Sequence, residues 1–256
     1  MRHAFFTSPR PLVFAHRGGA ALAPENTLAA FDNGLALGAD GIELDVRLSR
    51  DGVAVVHHDA TLDRTTTLRG AVAARNTDEL VAADVPTLRS VLLRYPTARI
   101  IIEIKERSVA VARAVLDDVR TASAASRVCI GSFSRKPLRE VRRLEPSLAT
   151  SAAREEVRWA LYRSWCRFPV METPYVGYQI PEIAGRTRVV SPRFVADAHR
   201  AGLGVQVWTV NTEREAHRLI GWGVDALITD RPDLIVPLIR KLSSSFPPRD
   251  GSLPPQ

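Results

Sequence analysis

The sequence predicts an α/β fold built around a parallel sheet. Short runs rich in β-branched residues alternate with helical patterns along the chain, as they do in repeated strand–helix units. The length of 256 residues suits one α/β barrel of about 250 residues or two smaller domains. With 45% hydrophobic and 25% charged residues, the composition is that of a folded globular protein, which excludes a disordered chain.

Eight predicted strands share β-branched or apolar residues and lie between helix or turn signals. A short additional strand, Val53–Val56, follows the second of them, and residues 47–87 are predicted to form an insertion there. We therefore expect a single barrel domain over residues 1–242. The serine- and proline-rich residues 243–256 are expected to form a disordered tail. The eight strands are Leu12–Ala15, Gly41–Val46, Arg99–Lys105, Arg127–Ser132, Ser147–Ser151, Gly177–Ile180, Gly204–Val210 and Ala226–Thr229.

Capping residues mark the starts of several helices between these strands. Asn26 or Thr27 is placed to cap the first helix, and Ser191 precedes a proline at the start of another. Thr212 and Glu215 have the spacing of a capping box, in which each residue bonds to the backbone of the other. The pattern therefore predicts helices on the connections between strands.

The charge of the chain invites a nucleic-acid-binding interpretation, which the distribution of basic residues does not favour. The formal net charge is +7, from 35 basic and 28 acidic residues. Only three basic residues are lysines, and the arginines are scattered among acids along the whole sequence rather than gathered in a stripe. We expect an arginine-rich solvated surface and no nucleic-acid partner.

Other features bear on the compartment of the protein. No apolar run approaches the roughly 20 residues that a membrane span requires. The first residues lack the continuous apolar core of a secretory signal, so a cytoplasmic protein is expected. Cys129 and Cys166 are too few for a disulfide framework and are not spaced for zinc. Both are expected to be reduced and buried.

Acidic residues occur inside two predicted strands, where apolar residues are the rule. Glu43 and Asp45 lie two residues apart on the second strand, and Glu103 and Lys105 do so on the third, so that each pair shares a face. Parallel strands covered on both faces are nearly continuously apolar, and acids within them therefore need a reason.

A divalent cation provides one such reason. Three carboxylates at one barrel mouth would repel one another without a positive charge among them, and oxygen ligands suit Mg²⁺ or Ca²⁺. The alternative is that Glu43 pairs with Arg47, and Glu103 with Arg107 or Lys105, in surface ion pairs.

Histidines form a second group of candidates. His16 ends the first strand, and His58 follows the short additional strand. Because histidine titrates near neutrality, the two can supply an acid and a base for one displacement; alternatively, each is an ordinary hydrogen-bonding loop residue. Strand alternation predicts that His57 points away from His58. The other histidines are expected to be structural and are His3, His199 and His217.

Taken together, nine short motifs in one order along the chain resemble the glycerophosphodiester phosphodiesterase family. They cover most of the sequence, from His16 to about Pro232. The motifs are His16–Gly19 (HRGG), Pro24–Thr27 (PENT), Glu43–Val46, Ser49–Gly52, His58–Asp59, Leu62–Thr66, Glu103–Lys105, Trp208–Asn211 and Gly223–Asp230.

The resemblance implies a TIM-type (β/α)8 barrel and a metal-dependent phosphodiesterase. It implies that His16 and His58 are the acid/base pair and that a small-molecule glycerophosphodiester is hydrolysed to sn-glycerol 3-phosphate and an alcohol. Further roles that it implies are metal binding by Glu43, Asp45 and Glu103, phosphate binding by Arg17 and Lys105, a wall beside the alcohol at Trp208, and support of the metal shell by Glu25 and Asn26, for which helix capping is the alternative.

Two other functions stay open at this point. A lysophospholipase-D-like or sphingomyelinase-D-like enzyme resembles the same family in its barrel and its acid/base residues, and an apolar pocket would favour it. A non-catalytic phosphate-ligand or nucleic-acid-binding protein would keep the fold without the chemistry, but retention of both histidines and all three acids argues against it. The sequence does not distinguish Mg²⁺ from Ca²⁺, and it does not determine the oligomeric state.

Overall fold

A computed structural model describes residues 3–168 and 172–242. The predicted tail, residues 243–256, lies outside the described residues. Strands and helices alternate in the order that the sequence predicts. They are β1 (Leu12–His16), α1 (Leu28–Ala36), β2 (Gly41–Leu48), β3 (Ala54–Val56), α2 (Thr77–Val81), α3 (Leu88–Arg94), β4 (Arg99–Ile104), α4 (Val109–Thr121), β5 (Val128–Gly131), α5 (Arg135–Leu144), β6 (Ala149–Thr150), α6 (Arg154–Cys166), β7 (Gly177–Pro181), β8 (Ile183–Ala184), β9 (Thr187–Arg188), α7 (Pro192–Arg200), β10 (Gly204–Trp208), α8 (Glu213–Gly221), β11 (Ala226–Thr229) and α9 (Pro232–Leu242).

Eight parallel strands of the described residues form a nearly closed barrel in the order β6-β5-β4-β2-β1-β11-β10-β7. The two end strands meet through a parallel bridge between Ser151 and Gly177. The Ala152 amide donates a 2.9 Å hydrogen bond to the Gly177 carbonyl, and Val176 donates one of 3.0 Å to Thr150. The predicted TIM-type barrel is therefore confirmed.

All eight predicted strands are present, and four of them are shorter than predicted: β4, β5, β6 and β10. In β6 only Ala149 and Thr150 pair with the neighbouring β5. The strand β10 ends at Trp208, and the Val210 amide bonds instead to the Ile228 carbonyl at 3.0 Å. The residues that follow Trp208 therefore belong to a loop at the carboxyl-terminal end of the barrel.

Apolar side chains fill the barrel at the amino-terminal ends of the strands. Phe5 and Phe6, in the turn before β1, are 1% and 3% exposed and belong to one cluster with Phe14 and Ile101. A Cβ on Gly204, the first residue of β10, would lie only 2.8 Å from the Phe6 ring. Glycine at this strand start therefore makes room for the aromatic plug, and polar residues are left to the opposite end.

The segment between β2 and α3 forms a small unit on the second strand. Its strand β3 pairs antiparallel with β2, with Val46 opposite Val56. Apolar residues within it form a separate buried cluster, and the His57 amide donates a 2.9 Å hydrogen bond to the Asp45 carbonyl. This anchor fixes the following residue, His58, at the carboxyl-terminal end of the barrel.

Candidate active site

A cavity of about 760 Å³ opens at the carboxyl-terminal ends of the strands. In barrel enzymes of this type, the active site is formed by the loops that follow the strands at this end. Asp45 is fully buried, and Glu25 and Asn26 lie near it rather than in the lining. Seven of the ten predicted site residues line the cavity: His16, Arg17, Glu43, His58, Glu103, Lys105 and Trp208.

The turn after β1 requires the local sequence that it has. Arg17 and Gly18 both adopt left-handed backbone angles, with φ of 51° and 89°. A Cβ on Gly18 would lie 2.6 Å from the Cβ of Ala30 in α1, so no larger residue fits. In this turn the Arg17 amide donates a 3.2 Å hydrogen bond to Oε2 of Glu43. The turn therefore fixes His16 and Arg17 beside the acids of β2.

His16 lies between two carboxylates. Its Nδ1 is 2.6 Å from Oδ1 of Asp230, and its Nε2 is 3.8 Å from Oε2 of Glu43. Burial lowers the pKa of His16, but the two carboxylates together outweigh burial and raise it. Asn211 holds the other Asp230 oxygen with a 2.8 Å hydrogen bond. Because the carboxylate only accepts, Nδ1 of His16 carries a proton, and Nε2 is left for proton transfer.

His58 has a carboxylate partner of its own. Its Nδ1 is 2.7 Å from Oδ1 of Asp59, while burial lowers the pKa of the imidazole. The hydrogen bond from Nε of Arg64, at 2.6 Å, holds the pKa of Asp59 well below its usual range. Asp59 is therefore an acceptor at neutral pH, and the imidazole donates to it from Nδ1.

Asp45 is compensated by positive charge on both oxygens. Its Oδ1 is 2.8 Å from Nζ of Lys105, and its Oδ2 is 3.1 Å from Nε of Arg17. The Asn26 amide donates a further 2.9 Å hydrogen bond to Oδ2. Burial raises the pKa of Asp45, but Lys105 and Arg17 outweigh burial and lower it. Asp45 therefore fixes the positions of the Lys105 and Arg17 side chains, both of which line the cavity.

Glu25 continues the same alternation of charges. It accepts a 3.0 Å hydrogen bond from Arg17 and bonds of 2.7 and 2.9 Å from both guanidinium nitrogens of Arg64. Burial raises its pKa, but the two arginines outweigh burial. Arg64 also holds Asp59, so an unbroken series of ion pairs runs from His58 to Asp45.

The contacts at the start of α1 show which residue caps this helix. Thr27 caps the helix, because its Oγ1 accepts from the Ala30 amide at 3.2 Å. The Asn26 side chain bonds to Asp45 instead, and its backbone has φ of 60°. Helix capping is therefore wrong as the role of Asn26 or of Glu25.

Glu43 and Glu103 lack such compensation. Burial, reinforced by Asp45, raises the pKa of Glu43. Burial also raises the pKa of Glu103 to about 8, with Glu43 and Asp45 adding to the effect and Lys105 opposing it. The predicted alternative of surface ion pairs is not observed for Glu43, because Arg47 donates to the His58 carbonyl.

The donor set therefore fits a hard divalent cation in its charge and its chemistry. Carboxylate oxygens are the preferred ligands of Mg²⁺ and Ca²⁺, and a nearby cation would lower the pKa values of Glu43 and Glu103, which burial and the neighbouring acids raise. Within residues 3–168 and 172–242, no group of three or more His, Cys, Asp or Glu side chains is arranged as a complete metal site.

Several lining residues were missed in the sequence. Gln179 and Phe133 line the cavity, and Gly131, at the end of β5, lies directly behind the lining, because a Cβ there would lie 2.6 Å from Oε1 of Gln179 and 2.7 Å from Oε2 of Glu103. Phe133 packs edge-on against Trp208, with ring centroids 6.0 Å apart. Gln179 had a signal, since a polar residue within a parallel strand needs the same explanation as Glu43; Gly131 and Phe133 had none.

The remaining predictions about cysteine and histidine have mixed outcomes. Cys129 is buried, as expected, and burial raises its pKa. The prediction for Cys166 is wrong, because this last residue of α6 is exposed. His57 is buried with Nε2 3.1 Å from the Thr61 carbonyl and does not line the cavity, whereas His58 does. The opposite orientation of these two residues is confirmed.

The barrel and its cavity define an α/β-barrel hydrolase that acts on phosphoric diesters. The sequence model of the glycerophosphoryl diester phosphodiesterase family matches residues 16–234. The chain belongs to this family. Enzymes of the family generally depend on a divalent cation.

Individual relatives agree with this assignment. A glycerophosphodiester phosphodiesterase of Caldanaerobacter subterraneus subsp. tengcongensis is 33% identical over 254 residues, which cover 91% of this chain and 99% of the relative. The crystal structure of a glycerophosphodiester phosphodiesterase from Agrobacterium tumefaciens is similar, with a TM-score of 0.72, 30% identity and coverage of 89% of this chain and 99% of that one. A phosphodiesterase of Oleispira antarctica, solved in complex with the product sn-glycerol-3-phosphate, has a TM-score of 0.74, 27% identity and coverage of 90% and 97%.

Substitution of Gly131 tests the crowding at the end of β5. We expect Gly131→Ala to lower kcat/KM by roughly a hundredfold, because the new methyl group displaces Glu103 and Gln179 and small displacements have effects of this size. The fold should survive, since the crowded atoms are side-chain ends. Steady-state kinetics and thermal unfolding measure the two effects.

Gly221→Ala is the matched control, because a Cβ there meets no atom within 4 Å. It should leave kcat/KM unchanged. Equal activity of the two variants would contradict a role for Gly131 in placing Glu103.

Proposed function

We propose that this chain hydrolyses glycerophosphodiesters to sn-glycerol 3-phosphate and an alcohol, with proton transfer by His16 and His58. The observation that carries the proposal is that both imidazoles line one cavity and each is paired through Nδ1 with a carboxylate. Membership of the family supports the reaction. The Oleispira antarctica relative supports a small-molecule product that contains glycerol and phosphate.

In the proposed mechanism, Arg17 and Lys105 bind the phosphate of the substrate. Both are already held by Asp45, so they need little reorganisation as negative charge grows on the nonbridging oxygens. One histidine donates a proton from Nε2 to the departing alcohol oxygen, and the other removes a proton from the nucleophile. The nucleophile is either water or the neighbouring glycerol hydroxyl; attack by the hydroxyl expels the alcohol and gives a cyclic phosphate, which water then opens to sn-glycerol 3-phosphate.

The proposed cation ligands are Glu43, Asp45 and Glu103, with either Mg²⁺ or Ca²⁺ bound. The raised pKa values of Glu43 and Glu103 support the proposal, because burial and the neighbouring acids outweigh the nearby positive charges at these two carboxyl groups. A bound dication would supply electrostatic stabilisation of the charge that develops on the phosphate. Asn26 supports the proposed site by holding Asp45, and Glu25 does so by holding Arg17.

Removal of either imidazole should abolish most turnover. We expect His16→Ala and His58→Ala each to lower kcat by roughly 10²- to 10⁴-fold, the usual effect of losing general acid–base catalysis. Each variant should unfold with a cooperative thermal transition. His217→Ala, a change at an exposed position on α8, is the control and should keep full activity. Wild-type turnover in either site variant would exclude that histidine from the mechanism.

Chelation tests the cation. Exhaustive treatment with EDTA should silence hydrolysis of glycerophosphocholine, because the charge of Glu43 and Glu103 is then uncompensated, and added Mg²⁺ or Ca²⁺ should restore it. Metal analysis before and after chelation provides the control. Full activity in the metal-free protein would defeat the metal assignment.

A lipid phosphodiesterase of the lysophospholipase-D or sphingomyelinase-D type is a second candidate, and one observation favours it. Part of the cavity lining is apolar, as an acyl chain would require. Among the apolar lining residues are Val157, Leu161, Ile180, Ile183, Ala184 and Val189.

A comparison of two substrates separates the two candidates. We expect a higher kcat/KM for glycerophosphocholine than for lysophosphatidylcholine, each assayed below its micellar concentration, because lysophosphatidylcholine carries an acyl chain on a glycerol hydroxyl that is free to bind the polar lining in glycerophosphocholine. A preference of tenfold or more, about 1.4 kcal/mol, for the lysolipid would instead assign the apolar lining to an acyl chain.

A further inference from the structure

The helix α6 presents large aromatic side chains to solvent. Trp159, Tyr162, Trp165 and Phe168 are 70%, 57%, 55% and 62% exposed. Three of the rings form a connected series along α6, with centroids 6.4 Å apart between Trp159 and Tyr162 and 5.7 Å apart between Tyr162 and Trp165, and Phe168 follows two residues after the helix ends at Cys166. We name these four residues the aromatic face of α6. A connected exposed group of this kind marks an interaction surface rather than a folding requirement.

Basic residues flank the aromatic face. Arg154, Arg158 and Arg167 are exposed, and Glu155 is the exposed acid among residues 154–168. The second acid of the helix, Glu156, is already held by Arg142 at 2.8 Å. Tryptophan and tyrosine prefer the boundary between water and lipid, and arginine is attracted to anionic headgroups. The chemistry of this surface therefore matches an anionic lipid interface.

The same helix also forms part of the cavity wall. Arg154, Val157, Arg158 and Leu161 line the cavity, so the aromatic face and the cavity share one element. Ile183, on the short β8, lines the cavity as well and is 51% exposed. A second protein seated on α6 would lie against the cavity rim, whereas a membrane there presents phosphodiester headgroups to it.

We propose that the aromatic face of α6 binds the interface of membranes that contain anionic phospholipid. The aromatic rings insert at headgroup level, and the arginines neutralise lipid phosphates. The bound protein then has its cavity beside the lipid surface. That the cavity takes a phosphodiester from this surface rests on the proposed function; membrane binding itself does not.

Co-sedimentation with vesicles tests the proposal. The full chain is mixed with sucrose-loaded vesicles of phosphatidylglycerol and phosphatidylcholine, and with vesicles of phosphatidylcholine alone. We expect binding to the mixed vesicles that weakens as salt is added, because part of the attraction is electrostatic. Trp159→Ser/Trp165→Ser should bind at least roughly tenfold more weakly, since burial of one such side chain accounts for about that factor.

Leu93→Ser, at a 57% exposed apolar position on α3, is the matched control and should bind like the wild type. Hydrolysis of water-soluble glycerophosphocholine should be the same for the double variant and the wild type.

Equal vesicle binding by the double variant and the wild type, or no wild-type binding at low salt, would overturn the proposal. So would a dimer in sedimentation equilibrium that the double variant dissociates, because the occupant would then be a second copy. If the wild type binds vesicles but does not hydrolyse glycerophosphocholine, the proposed function is refuted and the membrane-binding proposal stands.

Discussion

Compensation of negative charge at the carboxyl-terminal end of the barrel is the constraint on which the site depends. An uncompensated buried carboxylate costs several kcal/mol. Arg17, Lys105 and Arg64 compensate the acids around them, and His16 pairs with an aspartate, but two glutamates keep raised pKa values. A bound dication, as proposed, would compensate these two glutamates. In all, six acidic residues take part in these interactions at the carboxyl-terminal end: Glu25, Glu43, Asp45, Asp59, Glu103 and Asp230.

The same ion pairs connect segments that are distant in sequence. Arg64 belongs to the insertion after β2, yet it holds Glu25, which precedes α1. Glu25 in turn holds Arg17 at the end of β1. The orientation of His58 therefore depends on the same contacts that position Arg17, the proposed phosphate-binding residue, and these contacts are in place without substrate. At the other end of the barrel, Phe5 and Phe6 pack in an apolar cluster, where no buried charge has to be compensated.

The sequence predicted the elements better than the contacts between them. Acids inside strands made Glu43 and Glu103 candidate site residues, because a parallel sheet has no ordinary place for them, and both line the cavity. Capping is a local pattern, so the sequence left Asn26 and Thr27 as two candidates for the helix cap; Thr27 is the cap, and the bond from Asn26 to Asp45 spans 19 residues. Gly131 escaped notice because its role comes from the packing of Gln179 across the barrel. Cys166 faces solvent because it lies on the exposed side of α6, which the cysteine count does not reveal.

A crystal structure with sn-glycerol 3-phosphate and Ca²⁺ bound would test the central claim most directly. The account predicts that the phosphate contacts the side chains of Arg17 and Lys105, that the ion binds next to Glu43 and Glu103, and that both imidazoles keep their aspartate partners. A phosphate bound elsewhere in the cavity, or an ion bound away from these glutamates, would contradict it.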